Sequence, residues 1–195
     1  MNSHFHPTTA PAAAAAAVHY PPIWKGLTIN RSAHAQDEAF AIGPDGFVWR
    51  YLTDDKRGAA GRLVSTGLPA TLFALISPDT SPRVLVAVNH NRLCFMRESA
   101  NFGQPWNSAQ PVNFAGLHDA RQITELHSIV VNGHPLIGLL AEHLVPTGRT
   151  DYRFWVAKWT GQALQFRRSP VALDGSDQLG NQFLMQRRST EQTPQ

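Results

Sequence analysis

The feature that most constrains this chain is an internal repeat: one order of four β-prone runs recurs about three times between residues 27 and 171. In the middle copy, residues 71–77 precede residues 83–89, a tight His90-Asn91 turn leads into residues 92–97, and the unit closes through Pro105-Trp106 and Gln110-Pro111-Val112. In the following copy, residues 123–131 turn at Asn132-Gly133 into residues 135–141. A longer loop with Pro146 and Gly148 then leads to residues 152–158, and the copy ends at Arg168-Ser169-Pro170-Val171. The earliest copy runs from residues 27–29 to 38–42, turns at Pro44-Asp45-Gly46, continues through 47–52, and finishes between 62 and 69. Asn-Gly and Asp-Gly pairs supply the positive φ angles that tight hairpins need. No helical periodicity of comparable length competes with this pattern.

Four antiparallel strands repeated every 45 to 50 residues or so are the mark of β-propeller blades. The expected fold is therefore all-β and propeller-like, with about three four-stranded blades over residues 22–173. Residues 84–88 and 136–140 are almost continuously apolar, as befits strands covered on both faces. Residues 47–52 alternate instead, with Phe47, Trp49 and Tyr51 on one face and Val48, Arg50 and Leu52 on the other.

The segment Gly43-Pro-Asp-Gly-Phe-Val-Trp-Arg-Tyr51 resembles the Asp-Gly-x-Val-Trp-x-Tyr core of tectonin or tachylectin-type propeller repeats. Trp106 and the Pro111-Val112 ending are similar to such blades as well. The match is good over one unit and loose over the other two, where His-Asn replaces Asp-Gly or an insertion intervenes. The resemblance implies an architecture and, only weakly, a ligand. Propellers typically have at least four blades, so three would leave uncovered faces and edges. A second copy completing a ring as a homodimer would close the stack. A degenerate fourth blade built from the termini, or a barrel or sandwich, would be the other routes.

Composition bounds the remainder. Residues 1–21 mix His, Pro, Thr and Ala and read as a disordered arm, and residues 174–195 read as a mostly flexible tail. Within that tail, Phe183-Leu184-Met185 is an apolar patch suited to docking as a strand or a helical turn. A formal charge of +3 is too small to demand an anionic partner, and the pairs Arg167-Arg168 and Arg187-Arg188 do not make the basic stripe of a nucleic-acid binder. No run reaches the roughly 18 apolar residues of a membrane span, and no apolar core adjoins the Ala33-His34-Ala35 triplet; the expectation is a cytoplasmic protein with no membrane partner. Cys94 is the lone cysteine, which excludes an internal disulfide and a cysteine-based metal site; in an apolar strand a packed thiol is its ordinary role.

Motifs for catalysis are absent. His90, His118, His127, His134 and His143 share no metal-ligand spacing, and His4-Phe5-His6 falls in the arm. There is no Gly-x-Ser-x-Gly, P-loop or dinucleotide fingerprint, so no cofactor is expected. Many carboxylates are available, yet nothing singles out the convergent pair a glycosidase needs, and Asp45-Gly46-Phe47-Val48-Trp49 keeps only a remnant of the sialidase Asp-box. What remains is a set of aromatic and guanidinium groups on the third and fourth strands: Trp49, Arg50, Arg97, Trp106, Arg153, Trp155 and Trp159. Indole faces with nearby donors suit sugars, whereas packing between blades is the ordinary use of such tryptophans. The functional expectation is non-catalytic recognition of a carbohydrate or protein partner through rim loops. A propeller-type glycoside hydrolase and a scaffolding subunit without a small-molecule ligand are the alternatives.

Overall fold

The computed structural model describes residues 24–31, 37–54, 59–77, 82–99 and 106–191; the arm expected over residues 1–21 lies outside them. The described strands form three separate four-stranded antiparallel sheets, each a meander in chain order. The first contains β1 (Lys25–Arg31), β2 (Asp37–Ile42), β3 (Phe47–Asp54) and β4 (Ala59–Pro69). The second contains β5 (Leu72–Ile76), β6 (Val84–Asn89), β7 (Arg92–Arg97) and β8 (Gln110–Pro111). The third contains β9 (Ala120–Val131), β10 (His134–Leu144), β11 (Thr150–Trp159) and β12 (Leu164–Phe166). The fold is thus all-β and propeller-like, built among the described residues from three four-stranded antiparallel sheets.

The turn residues explain the hairpins. Between β2 and β3 the amide of Gly46 donates to the carbonyl of Gly43, and Gly46 takes φ +79°, giving a turn that ends in a left-handed residue. The β10–β11 turn repeats that design with Pro146 and Gly148. The β6–β7 turn instead places two non-glycine residues at positive φ, His90 at 46° and Asn91 at 62°. Asn91 recovers part of that cost by bonding the third sheet. Its Nδ2 donates to the carbonyls of Ala120 and Arg121 at 3.2 and 3.1 Å, and its Oδ1 accepts the Ile123 amide at 2.7 Å.

Alternation along each strand decides which neighbour it meets. On β6, Val84, Val86 and Val88 face the third sheet, while Leu85 and Ala87 face the first. Both sets are buried, which is why this strand reads as one continuous apolar run. The first strands of successive sheets lie side by side, β5 between β1 and β9. Each fully buried aliphatic side chain in these layers contributes about 1.5–3 kcal/mol relative to exposure, so the two inter-sheet layers hold the stack together.

The two ends of the stack differ. The outer face of the third sheet, with Ile129, Leu140, Phe154 and Val156, is covered by helix α1 (Gln178–Glu191), whose Phe183 is 1% exposed. The apolar patch at residues 183–185 lies in this helix: Phe183 stacks on Phe154 at 4.2 Å, with Leu179 and Leu184 partly buried beside it. Gly180 permits the close approach, since a Cβ there would meet the Ala172 carbonyl oxygen at 2.0 Å. At the opposite end, the outer face of the first sheet presents Trp24, Tyr51 and Leu63, each exposed. A head-to-tail second copy would have to dock on the face that α1 occupies. Among the described residues no helix is long and apolar enough to cross a membrane.

Candidate functional site

A cleft of about 270 Å³ opens between the second and third sheets, near the ends of β7 and β11. Phe95 and Trp159 form its apolar floor, with ring centroids 5.3 Å apart and planes at 65°. Arg97, Asn107, Ser108, Gln110 and Gln162 supply its polar rim. Two local features build the walls. The amide of Asn107 donates to the Arg97 carbonyl at 2.9 Å, drawing the β7–β8 connection back along β7. Across the cleft the β11–β12 turn is locked by Thr160, whose hydroxyl donates to the Ala163 carbonyl at 3.0 Å and accepts the Ala163 amide at 3.2 Å. Arg97 Nη1 reaches over from the second sheet and donates to the Gly161 carbonyl at 3.4 Å. The volume falls near the lower end for small-molecule sites, about 300 Å³, and suits one sugar ring or a short side chain.

The lining dictates what such a cleft can do. An indole and a phenyl ring offer flat apolar surface, and three amide side chains and a hydroxyl can donate and accept hydrogen bonds. Among the described residues, its lining contains no carboxylate and no histidine.

Of the aromatic and guanidinium residues singled out from sequence, Arg97 and Trp159 meet here, and the others do not. Trp49 sits on the outer face of the first sheet, its Nε1 donating to the Asp45 carboxylate at 2.9 Å and its ring edge-to-face with Trp24 at 6.4 Å. That bond holds the Asp45 carboxyl below the usual carboxylate range, and it accounts for the Asp-Gly-x-x-Trp spacing as a turn lock. Trp106 is wedged between the first and second sheets against Phe40 at 6.1 Å. Trp155 is 5% exposed in the layer between the second and third sheets, edge-to-face with Phe114 at 4.9 Å. Arg153 Nε is bonded to Asp151 at 2.9 Å on the rim of the third sheet. The cleft residues that sequence reading passes over are Phe95, Asn107, Ser108, Gln110 and Gln162. Their signal is faint: amide residues in the connections that follow the third strands of adjacent repeats.

Arg50 belongs to a separate charge cluster between the first and second sheets. Its guanidinium pairs with Glu38, which is 4% exposed and also bound by Arg83. Arg83 in turn grips Glu98 with two nitrogens, its Nε at 2.9 Å. Burial opposes ionisation of Glu98, but the hydrogen bonds and charge of Arg83, with Arg50 beyond, more than offset it and keep the carboxyl below its ordinary range. Burial likewise works against the charge on Arg83, yet Glu98 and Glu38 leave it even harder to deprotonate than usual. The ion pairs of Glu38 with Arg50 and Arg83, and of Arg83 with Glu98, tie the first sheet to the second as a clasp, and the lowered Glu98 carboxyl favours its ionised form there.

His143 is 2% exposed at the end of β10, and burial, aided by the charge of Arg153, lowers its affinity for a proton. Cys94 is partly buried, its thiol pushed up by desolvation and donating to the Ala87 carbonyl at 3.6 Å, which is the packed role expected of it. Among the described residues no group of three His, Cys, Asp or Glu side chains could hold a metal ion.

No family model matches the chain, and no curated protein matches it. Among solved structures, an exo-β-1,3-galactanase from Clostridium thermocellum is similar, at 10% sequence identity and a TM-score of 0.47 over 74% of this chain and 34% of that one. This chain therefore spans about one third of that protein's length.

Proposed function

We propose that this protein is a non-catalytic recognition module that binds a carbohydrate in the cleft between its second and third sheets. The observation that carries the reading is the pairing of an aromatic floor, Phe95 and Trp159, with a rim of amides, a hydroxyl and one guanidinium, and no carboxylate among the described residues. A sugar ring has an apolar face and a girdle of hydroxyls, and this lining complements both. The likeness of residues 43–51 to tectonin-type repeats is compatible with it. A cytoplasmic location belongs to the same proposal and is open to cell fractionation.

The direct test is isothermal titration of the purified protein against a panel of oligosaccharides, repeated with Trp159→Ala after circular dichroism has established that the variant is folded. Saturable binding that Trp159→Ala weakens at least tenfold supports the reading. Turnover of an aryl glycoside, or binding indifferent to Trp159, would defeat it.

One observation favours a second reading, assembly with a protein partner or another copy. The outer face of the first sheet holds a shallow apolar hollow of about 220 Å³ lined by Trp24, Ala39, Ala41, Trp49, Tyr51 and Leu63. Light scattering across a concentration series, with Tyr51→Lys as the interfering variant, tests whether this face is used.

A further inference from the structure

The cleft between the second and third sheets carries charge of one sign. Among the described residues, Arg97 is the ionisable group along its lining, and the other polar contributors are amides and a hydroxyl. The carboxylate next to it in sequence, Glu98, is engaged elsewhere, bound by Arg83 in the clasp between the first and second sheets. Arg97 itself makes one hydrogen bond among the described residues, to the Gly161 carbonyl at 3.4 Å, beyond the usual 2.7–3.2 Å of an N–H···O bond. A guanidinium has five N–H donors in a planar fork, so most of its bonding capacity is unspent.

These facts bear on which saccharide fits. Among the described residues no carboxylate pairs with Arg97; protein walls of low dielectric focus the field of such a cation, and an anionic group entering the cleft gains from it. The fork geometry of arginine matches a carboxylate with two parallel bonds, which a neutral hydroxyl cannot reproduce. The rings of Trp159 and Phe95 lie on the same cleft, 5.3 Å apart, leaving a pyranose somewhere to stack while its substituent meets Arg97. A volume of about 270 Å³ lies near the lower end for small-molecule sites and has room for one substituted six-membered ring.

We infer that the ligand is an acidic saccharide, a uronate whose carboxylate pairs with Arg97 while its ring packs on Trp159. The inference rests on the carbohydrate-recognition reading and adds the charge of the ligand to it.

The test is calorimetric titration of the full chain with a glucuronic acid-containing trisaccharide and with the neutral glucose trisaccharide of the same linkage, each at low and at raised salt. The acidic sugar should bind about tenfold more tightly or better, as expected for a hydrogen bond to a charged group, and this ratio should shrink as salt rises. Arg97→Gln should bring the ratio close to one, and Arg97→Lys, which keeps the charge but not the fork, should retain part of it. Equal affinity for the two sugars, both weakened by Trp159→Ala, would overturn the acidic ligand and leave the recognition reading intact. Failure of both sugars to bind would overturn the two together. Should Arg97→Gln fail to fold, the acidic-to-neutral ratio and its salt dependence in the unaltered protein decide the matter alone.

Discussion

Removing the aromatic anchor of helix α1, by Phe183→Ala, should detach the helix without unfolding the sheets. Phe183 is 1% exposed, stacks on Phe154 at 4.2 Å, and meets His127 edge-to-face at 5.4 Å. Truncating a phenylalanine so placed costs about 3–5 kcal/mol when the surroundings cannot collapse into the gap. The remaining apolar contacts of the helix are the partly buried Leu179 and Leu184, worth about 1 kcal/mol each if half of the usual burial gain is realised. A helix of 14 residues with mostly polar side chains has little stability of its own in water. The loss therefore exceeds what is left to hold it, and local undocking should limit the cost to the rest of the fold. Hydrogen exchange read by mass spectrometry is the assay. Amides of residues 178–191 should lose their protection in the variant, while those of β6 and β7 keep theirs. Gly180→Ala, which forces a Cβ against the Ala172 carbonyl oxygen, should act in the same way by an independent route. Light scattering should also register larger species, because undocking uncovers an apolar face on the third sheet that the open face of the first sheet can meet. Unchanged protection of α1 in both variants would refute the argument.

Three further outcomes are expected. Asn91→Ala should cost about 2–3 kcal/mol in urea unfolding, since it removes two donated bonds and one accepted bond to the third sheet and keeps a β-carbon at φ +62°; Asn91→Gly should cost less, because it relieves the backbone. Glu98 is held below the ordinary carboxylate range, so its clasp stabilises the fold above that range and the contribution is lost as pH falls through the lowered value; chemical denaturation at successive pH values below about 5 should show this acid slope, and Glu98→Gln should flatten it. His143 is also held down, by burial first, so stability is present above the ordinary histidine range near 6.5 and falls as pH drops below it; replacing His143 with Leu should remove the loss below about pH 6.5, as followed by melting temperature.

Sequence alone determined the local part of this protein. Strand order, the turns at Asp45-Gly46, His90-Asn91 and Asn132-Gly133, and the double burial of Val84–Val88 all follow from alternation and backbone preference. These properties span only a few residues, and so they survive in a one-dimensional reading. The tryptophans were visible too, but not their duties. Trp49 as a turn lock follows the local Asp-Gly-x-x-Trp spacing, whereas Trp106 and Trp155 as packing between sheets and Trp159 as a cleft floor differ by which neighbouring sheet each meets, and no spacing along the chain encodes that. Tertiary structure also decided the fate of the C-terminal segment, where the short Phe183-Leu184-Met185 patch carries a weak helical signal until Phe154 is beneath it. The same holds for the cleft. Arg97 and Trp159 lie in different repeats more than sixty residues apart, and only the stacking of the second sheet on the third brings them together.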